Sequence, residues 1–186
     1  MEIWRITKYN PLFRNEKGVF LRDDWTSVAD IGKSSQSNHG QPITVEEYLA
    51  VEDAYVGAIQ AFLEELDLPS LQVSHLENAQ REREIQRMKQ EREMYPMLHR
   101  EEMLSRFLAL EDGQFIQRTD LAPLCRLILR EYVWCKLKAG SSLFVHFGRD
   151  YYMYIGAAIA CTHALAHVRQ SGLFAEPIVA SPYSEM

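Results

Sequence analysis

Apolar positions alternate over several short stretches of this chain and recur at helical spacing over others. "EIWRITKYNP" alternates and is rich in β-forming residues, so it predicts a first strand that stops before Pro11. "FRNEKGVFL" predicts a turn at residues 15–18 and a short second strand. "DDWTSVADIGK" and "SSQSNHGQP" are polar and read as loops. Thr44, with Glu47 three residues on, carries the capping-box pattern. Tyr48, Leu49, Val51, Tyr55, Ile59, Phe62, Leu63 and Leu66 then recur at helical spacing, and Pro69 closes the segment. "LQVSHLE" predicts a strand. "NAQREREIQRMKQEREMY" predicts a charged helix whose apolar stripe is only Ile85 and Met88, with Pro96 breaking it. "MLHREEMLSRFLAL" predicts another helix. "LAPLCRLILREYVWCKL" is apolar on most sides and predicts a central buried helix. "LFVHF" and "YYMYI" predict a hairpin around Gly148, Arg149 and Asp150. "AAIACTHALAHVRQS" predicts a small-residue helix stopped by Gly172, and "LFAEPIVASPY" a short final strand.

Strands and helices interspersed in this way predict an α+β fold. The expectation is one domain over residues 1–186, with a small, mainly antiparallel sheet, a hairpin in the C-terminal half, and about four to five helices packed on it. A length of 186 residues suits one domain with a substantial core, and 47% apolar and 25% charged residues are ordinary for a globular chain. The start "MEIWRITKYN" has no apolar leader region, and no apolar run approaches the roughly 20 residues of a membrane span. Cys125, Cys135 and Cys161 form no close pair, which predicts reduced core thiols and a cytoplasmic location. The net charge of −6 argues against nucleic acid as the direct partner.

The stretch "FVHFGRDYYMYIG" concentrates the candidate chemistry. Alternation puts Phe144 and His146 on one face of their strand and Val145 and Phe147 on the other, and sets Tyr152 and Tyr154 against Tyr151, Met153 and Ile155. A packed hairpin accounts for this pattern. A binding surface built on Arg149, Asp150, Tyr151 and Tyr154 is the functional reading, because Tyr and Arg favour interface hot spots. Catalysis would use His146 oriented by Asp150, with nearby tyrosines, but no nucleophile stands beside them. His163 and His167 share one side of a helix without a third ligand or the acid of a metalloprotease helix, so no metal is expected. The helix from Thr44 carries seven acids and no base. Its acids either form a solvated face or dock a basic partner through Glu52, Asp53 and Glu64, all expected to be exposed. The run "QREREIQRMKQERE" balances its signs and reads as a solvated helix. No phosphate-binding glycine loop, nucleophile elbow or Cys-x-x-Cys pair is present, so no cofactor is expected.

Five blocks in order, "RITKYNP", "DDWTSVADIG", "EEYLAVEDAY", "FVHFGRDYYMYIG" and "SGLF…SPY", resemble a family of small bacterial cytosolic proteins of the toxin-immunity type. The resemblance covers both ends and much of the middle, leaves residues 79–96 unmatched, and implies no catalytic residues. It implies a non-catalytic protein that neutralises a cognate toxin by stoichiometric binding, with a basic toxin domain as its partner. Two alternatives stand beside it: an enzyme around His146 and Asp150, and a regulatory or scaffold subunit that uses the charged helix 79–95.

Overall fold

Thr44 starts the longest helix as its sequence predicts. Its hydroxyl accepts from the Glu47 amide at 3.1 Å, and the Glu47 carboxylate accepts from the Thr44 amide at 2.9 Å, so α1 runs Val45–Glu65. Tyr48, Tyr55, Ile59, Phe62 and Leu63 lie along one stripe of this helix with no exposed surface. In the computed structural model, which describes residues 1–36, 38–98 and 101–184, that stripe faces a seven-stranded antiparallel sheet. The strands are β1 (Glu2–Thr7), β2 (Ser70–Glu77), β3 (Phe115–Gln117), β4 (Trp134–Ala139), β5 (Leu143–Phe147), β6 (Met153–Ala157) and β7 (Phe174–Ile178). Their order is β3-β2-β4-β5-β6-β1-β7. The remaining helices are α2 (Arg81–Met94), α3 (Glu101–Ala109), α4 (Leu121–Leu129) and α5 (Thr162–Gln170). This is the α+β architecture that the sequence predicts.

The core lies between the helices and one face of the sheet. Residues opposite one another in register share a face, so Val73, Leu137, Val145, Ile155 and Trp4 form a continuous inward row across five strands. Phe147, Met153 and Ile6 form the next inward row, also buried. Each fully buried side chain of this size contributes ~1.5–3 kcal/mol.

The segment 121–137 departs from the expected single helix. It is helical only to Leu129, turns at Glu131 with φ +56°, and continues as β4. Residues 134–139 alternate Trp, Cys, Lys, Leu, Lys, Ala, which is strand periodicity placed beside a strong helix former. Residues 14–20 also fall short of a strand: a single bridge joins Arg14 to Phe20 around a turn held by the Asn15 side chain. β3 has no counterpart in the sequence reading; three residues with one buried side chain give no periodic signal. Part of the predicted segment "MLHREEMLSRFLAL", residues 99–100, lies outside the described residues.

Candidate functional site

The face of the sheet opposite the helices carries the candidate chemistry, arranged in rows by strand register. One row reads Phe115, Gln72, Lys138, Phe144, Gly156, Ile3, Ile178, from β3 at one edge to β7 at the other. Phe115 is 61% exposed, Lys138 is exposed, and Phe144, Ile3 and Ile178 are half-buried. The Phe144 ring lies over Gly156, where a Cβ would overlap it, and stacks on His146 with centroids 4.4 Å apart. Gly156 is therefore the position that lets an aromatic lie flat on the sheet.

The neighbouring row reads Ser74, Lys136, His146, Tyr154, Arg5, Glu176. It is polar and braced. Arg5 donates to Glu176 from Nε at 3.1 Å and Nη2 at 2.7 Å, a bidentate pair. Arg14, brought over the sheet by the 14–20 turn, lies 3.3 Å from the same carboxylate and donates to the Tyr152 hydroxyl at 2.7 Å. His146 Nδ1 and Ser181 Oγ share a hydrogen bond of 2.9 Å, and the Tyr183 amide donates to the same oxygen at 3.2 Å. The C-terminal segment is thereby pinned across the row, with the Tyr183 ring 5.9 Å from Tyr154 and 5.8 Å from Trp134. Burial, with Lys136 and His75 nearby, pushes the His146 imidazole down to about 4. It is neutral at pH 7.

The hairpin supplies the predicted residues with different roles. Arg149 and Asp150 are exposed at its turn, Asp150 at φ +54°. The Asp150 side chain does not orient His146, whose ring bonds Ser181 instead; the Asp150 carbonyl accepts from the Tyr9 hydroxyl at 2.7 Å. Tyr154 is half-buried on the open face. Tyr151 must be corrected as a contact residue. It is only 2% exposed and shares the inward face with Met153, packing against Trp25, Tyr48 and Tyr55.

The acidic helix also requires correction. Glu52 is buried, not exposed: Arg130 donates to it from Nε at 2.6 Å and Nη2 at 2.5 Å, and neither side chain has exposed surface. Arg130 also donates to the Leu98 carbonyl at 2.7 Å. Burial opposes the Arg130 charge, yet Glu52 outweighs it and holds the guanidinium above its ordinary pKa. Asp53 is exposed but ion-paired with Arg126, while Glu64 is exposed. The three acids do not form one free patch. Glu52 could have been found in the sequence, since it stands four residues after Tyr48 and three before Tyr55, inside the apolar stripe.

The other candidates resolve into packing. The charged helix α2 is tied to the body by buried Met88, by Arg87 donating to the Arg130 carbonyl at 2.7 Å, and by Glu91 accepting from the Tyr132 hydroxyl. His163 and His167 are exposed on α5. Lys8 lines a cavity of about 280 Å³ with Asp24, Trp25, Asn38 and the end of α5. Burial pushes its amine down to about 8, against the pull of Asp24 at 2.9 Å. The Trp25 ring centroid lies 3.9 Å from the amine, whose nitrogen has almost no exposed surface. Lys8 therefore fastens the Trp25 loop to the sheet.

Alternation placed Phe144 on this face with His146; Phe115, Lys138, Trp134 and Tyr183 also belong to it and were not singled out by sequence. Two of them sit on β4, which read as helix, and one on β3. Compared with models of known protein families, with curated proteins and with solved structures, the chain matches none. No described helix is long and apolar enough to cross a membrane.

Proposed function

We propose that this chain is a non-catalytic binding protein of the toxin-immunity type, and that its protein partner docks on the open face of the sheet. The observation that carries the reading is one register row across the sheet, in which exposed Phe115 and Lys138 lie with half-buried Phe144, Ile3 and Ile178. Seven strands at ~4.8 Å spacing make this row roughly 30 Å long. A patch about that wide matches the ~800 Å² that each partner contributes to a stable interface. Rigid aromatics on a braced sheet suit hot spots, because little side-chain freedom remains to be lost on binding. The net charge of −6 favours a basic partner at long range and disfavours nucleic acid. The three cysteines are free and buried, which suits a reducing cytoplasm.

The gene neighbourhood and a co-expression experiment test the reading together. It expects a large secreted protein with a C-terminal toxin domain encoded immediately upstream. It also expects a 1:1 complex with that domain and restored growth of cells producing it. A metabolic operon at the locus, or turnover of a small substrate by the purified protein, would contradict it.

A further inference from the structure

At the turn end of the open face lies a groove of about 260 Å³, lined by Glu77, Glu131, Trp134, Gly148, Arg149 and Tyr183. Its aromatic walls are Trp134 and Tyr183, with ring centroids 5.8 Å apart and planes tilted by 53°. Both rings are held in place. The Trp134 indole N–H donates to the Phe147 carbonyl at 2.8 Å, and Tyr183 is fixed through Ser181 to His146. Gly148 permits the close approach, since a Cβ there would come within 3.0 Å of the Tyr183 hydroxyl. Glu77 and Glu131 bring two exposed carboxylates to the groove against the single guanidinium of Arg149. None of these three side chains forms an ion pair with a described residue.

We propose that this groove receives a positively charged side chain, an arginine or lysine of the protein partner that docks on the open face. The inference rests on the binding reading above and adds the chemistry of one contact. Aromatic faces attract a cation through their quadrupoles, most strongly when the rings exclude water from it. The carboxylates exceed the guanidinium by one charge, so a single incoming cation neutralises the set and an incoming anion worsens it.

The test uses end-blocked Gly-Arg-Gly and Gly-Glu-Gly tripeptides and an oligothymidylate, each titrated against the whole protein while the Trp134 indole N–H resonance is followed. A saturable shift with the arginine peptide, absent with the other two probes, is expected. The double variant Glu77→Gln, Glu131→Gln should weaken the binding behind that response about three- to tenfold. Equal responses to both peptides, a stronger response to oligothymidylate, no saturable response, or an unaffected double variant would overturn the assignment. Partner binding separates this inference from its parent. If the double variant binds the toxin domain as the wild type does while Phe115→Asp does not, the groove assignment falls and the docking face stands. If Phe115→Asp also binds as the wild type does, the docking face itself falls.

Discussion

Glu52 and Arg130 are the residue pair on which most depends, because each is fully buried and each is the other's counter-charge. Breaking a buried pair from one side costs ~3–5 kcal/mol, since it strands the remaining charge, whereas replacing both by apolar groups is often close to neutral. Urea unfolding should therefore show Glu52→Gln destabilised by about that amount, and Glu52→Leu combined with Arg130→Met far less so. Equal losses in the single and double variants would mean that the pair is not a unit. His146 sets a pH dependence of defined sign. The unfolded imidazole takes up a proton near 6.5, while the folded one resists until about 4, held neutral by burial and by Lys136 and His75. Between those values the unfolded state binds more protons, so stability falls as pH falls through this window and levels off below it. The difference in urea midpoint between wild type and His146→Gln should narrow or reverse in favour of the variant as pH drops from 7 to 4. A constant difference would contradict the assignment. At this scale the sequence was informative about type and misleading about place. It marked His146, Tyr154 and Arg149, yet left Glu52 on the surface, because a carboxylate is rarely fully buried unless paired and its partner stands 78 positions away.

Among the elements, the hairpin of β5 and β6 was legible from alternation alone, and its inward and outward faces are those that the pattern predicts. Phe147 is 1% exposed between Met153 and the helix layer, so Phe147→Ala should cost ~3–5 kcal/mol in thermal or urea unfolding. Gly156 gives a sharper check. Gly156→Ala forces the Phe144 ring off the sheet and should destabilise by ~1–3 kcal/mol, and Phe144→Ala in the same chain should recover most of that loss. A double variant as unstable as the sum of the two singles would show that the Phe144 ring does not lie over Gly156. α1 was legible because capping and periodicity agree. β4 was not: it follows α4 after four residues, one of them the left-handed Glu131, and its inner side chains Cys135 and Leu137 prolong the apolar pattern of the helix. The deciding information, antiparallel pairing with β2 and β5, comes from residues distant in sequence.

The whole molecule is a two-layer α+β body with a closed helix side and an open sheet side. The sequence offered the acidic helix, beside the hairpin, as one docking surface, but folding consumes Glu52 and Asp53 in pairs with Arg130 and Arg126. The row from Phe115 to Ile178 is assembled from strands at both ends and in the middle of the chain and becomes visible only through register. The most direct measurement is calorimetric titration of the neighbouring toxin domain with three variants of exposed residues. Phe115→Asp and Lys138→Glu lie on the open row, and Glu64→Lys lies on α1. Docking on the sheet predicts losses of ~1–4 kcal/mol for one or both row variants and binding within ~0.5 kcal/mol of wild type for Glu64→Lys. Unchanged affinity for both row variants, with a large loss for Glu64→Lys, would place the partner on the helices and contradict the open face as the binding site.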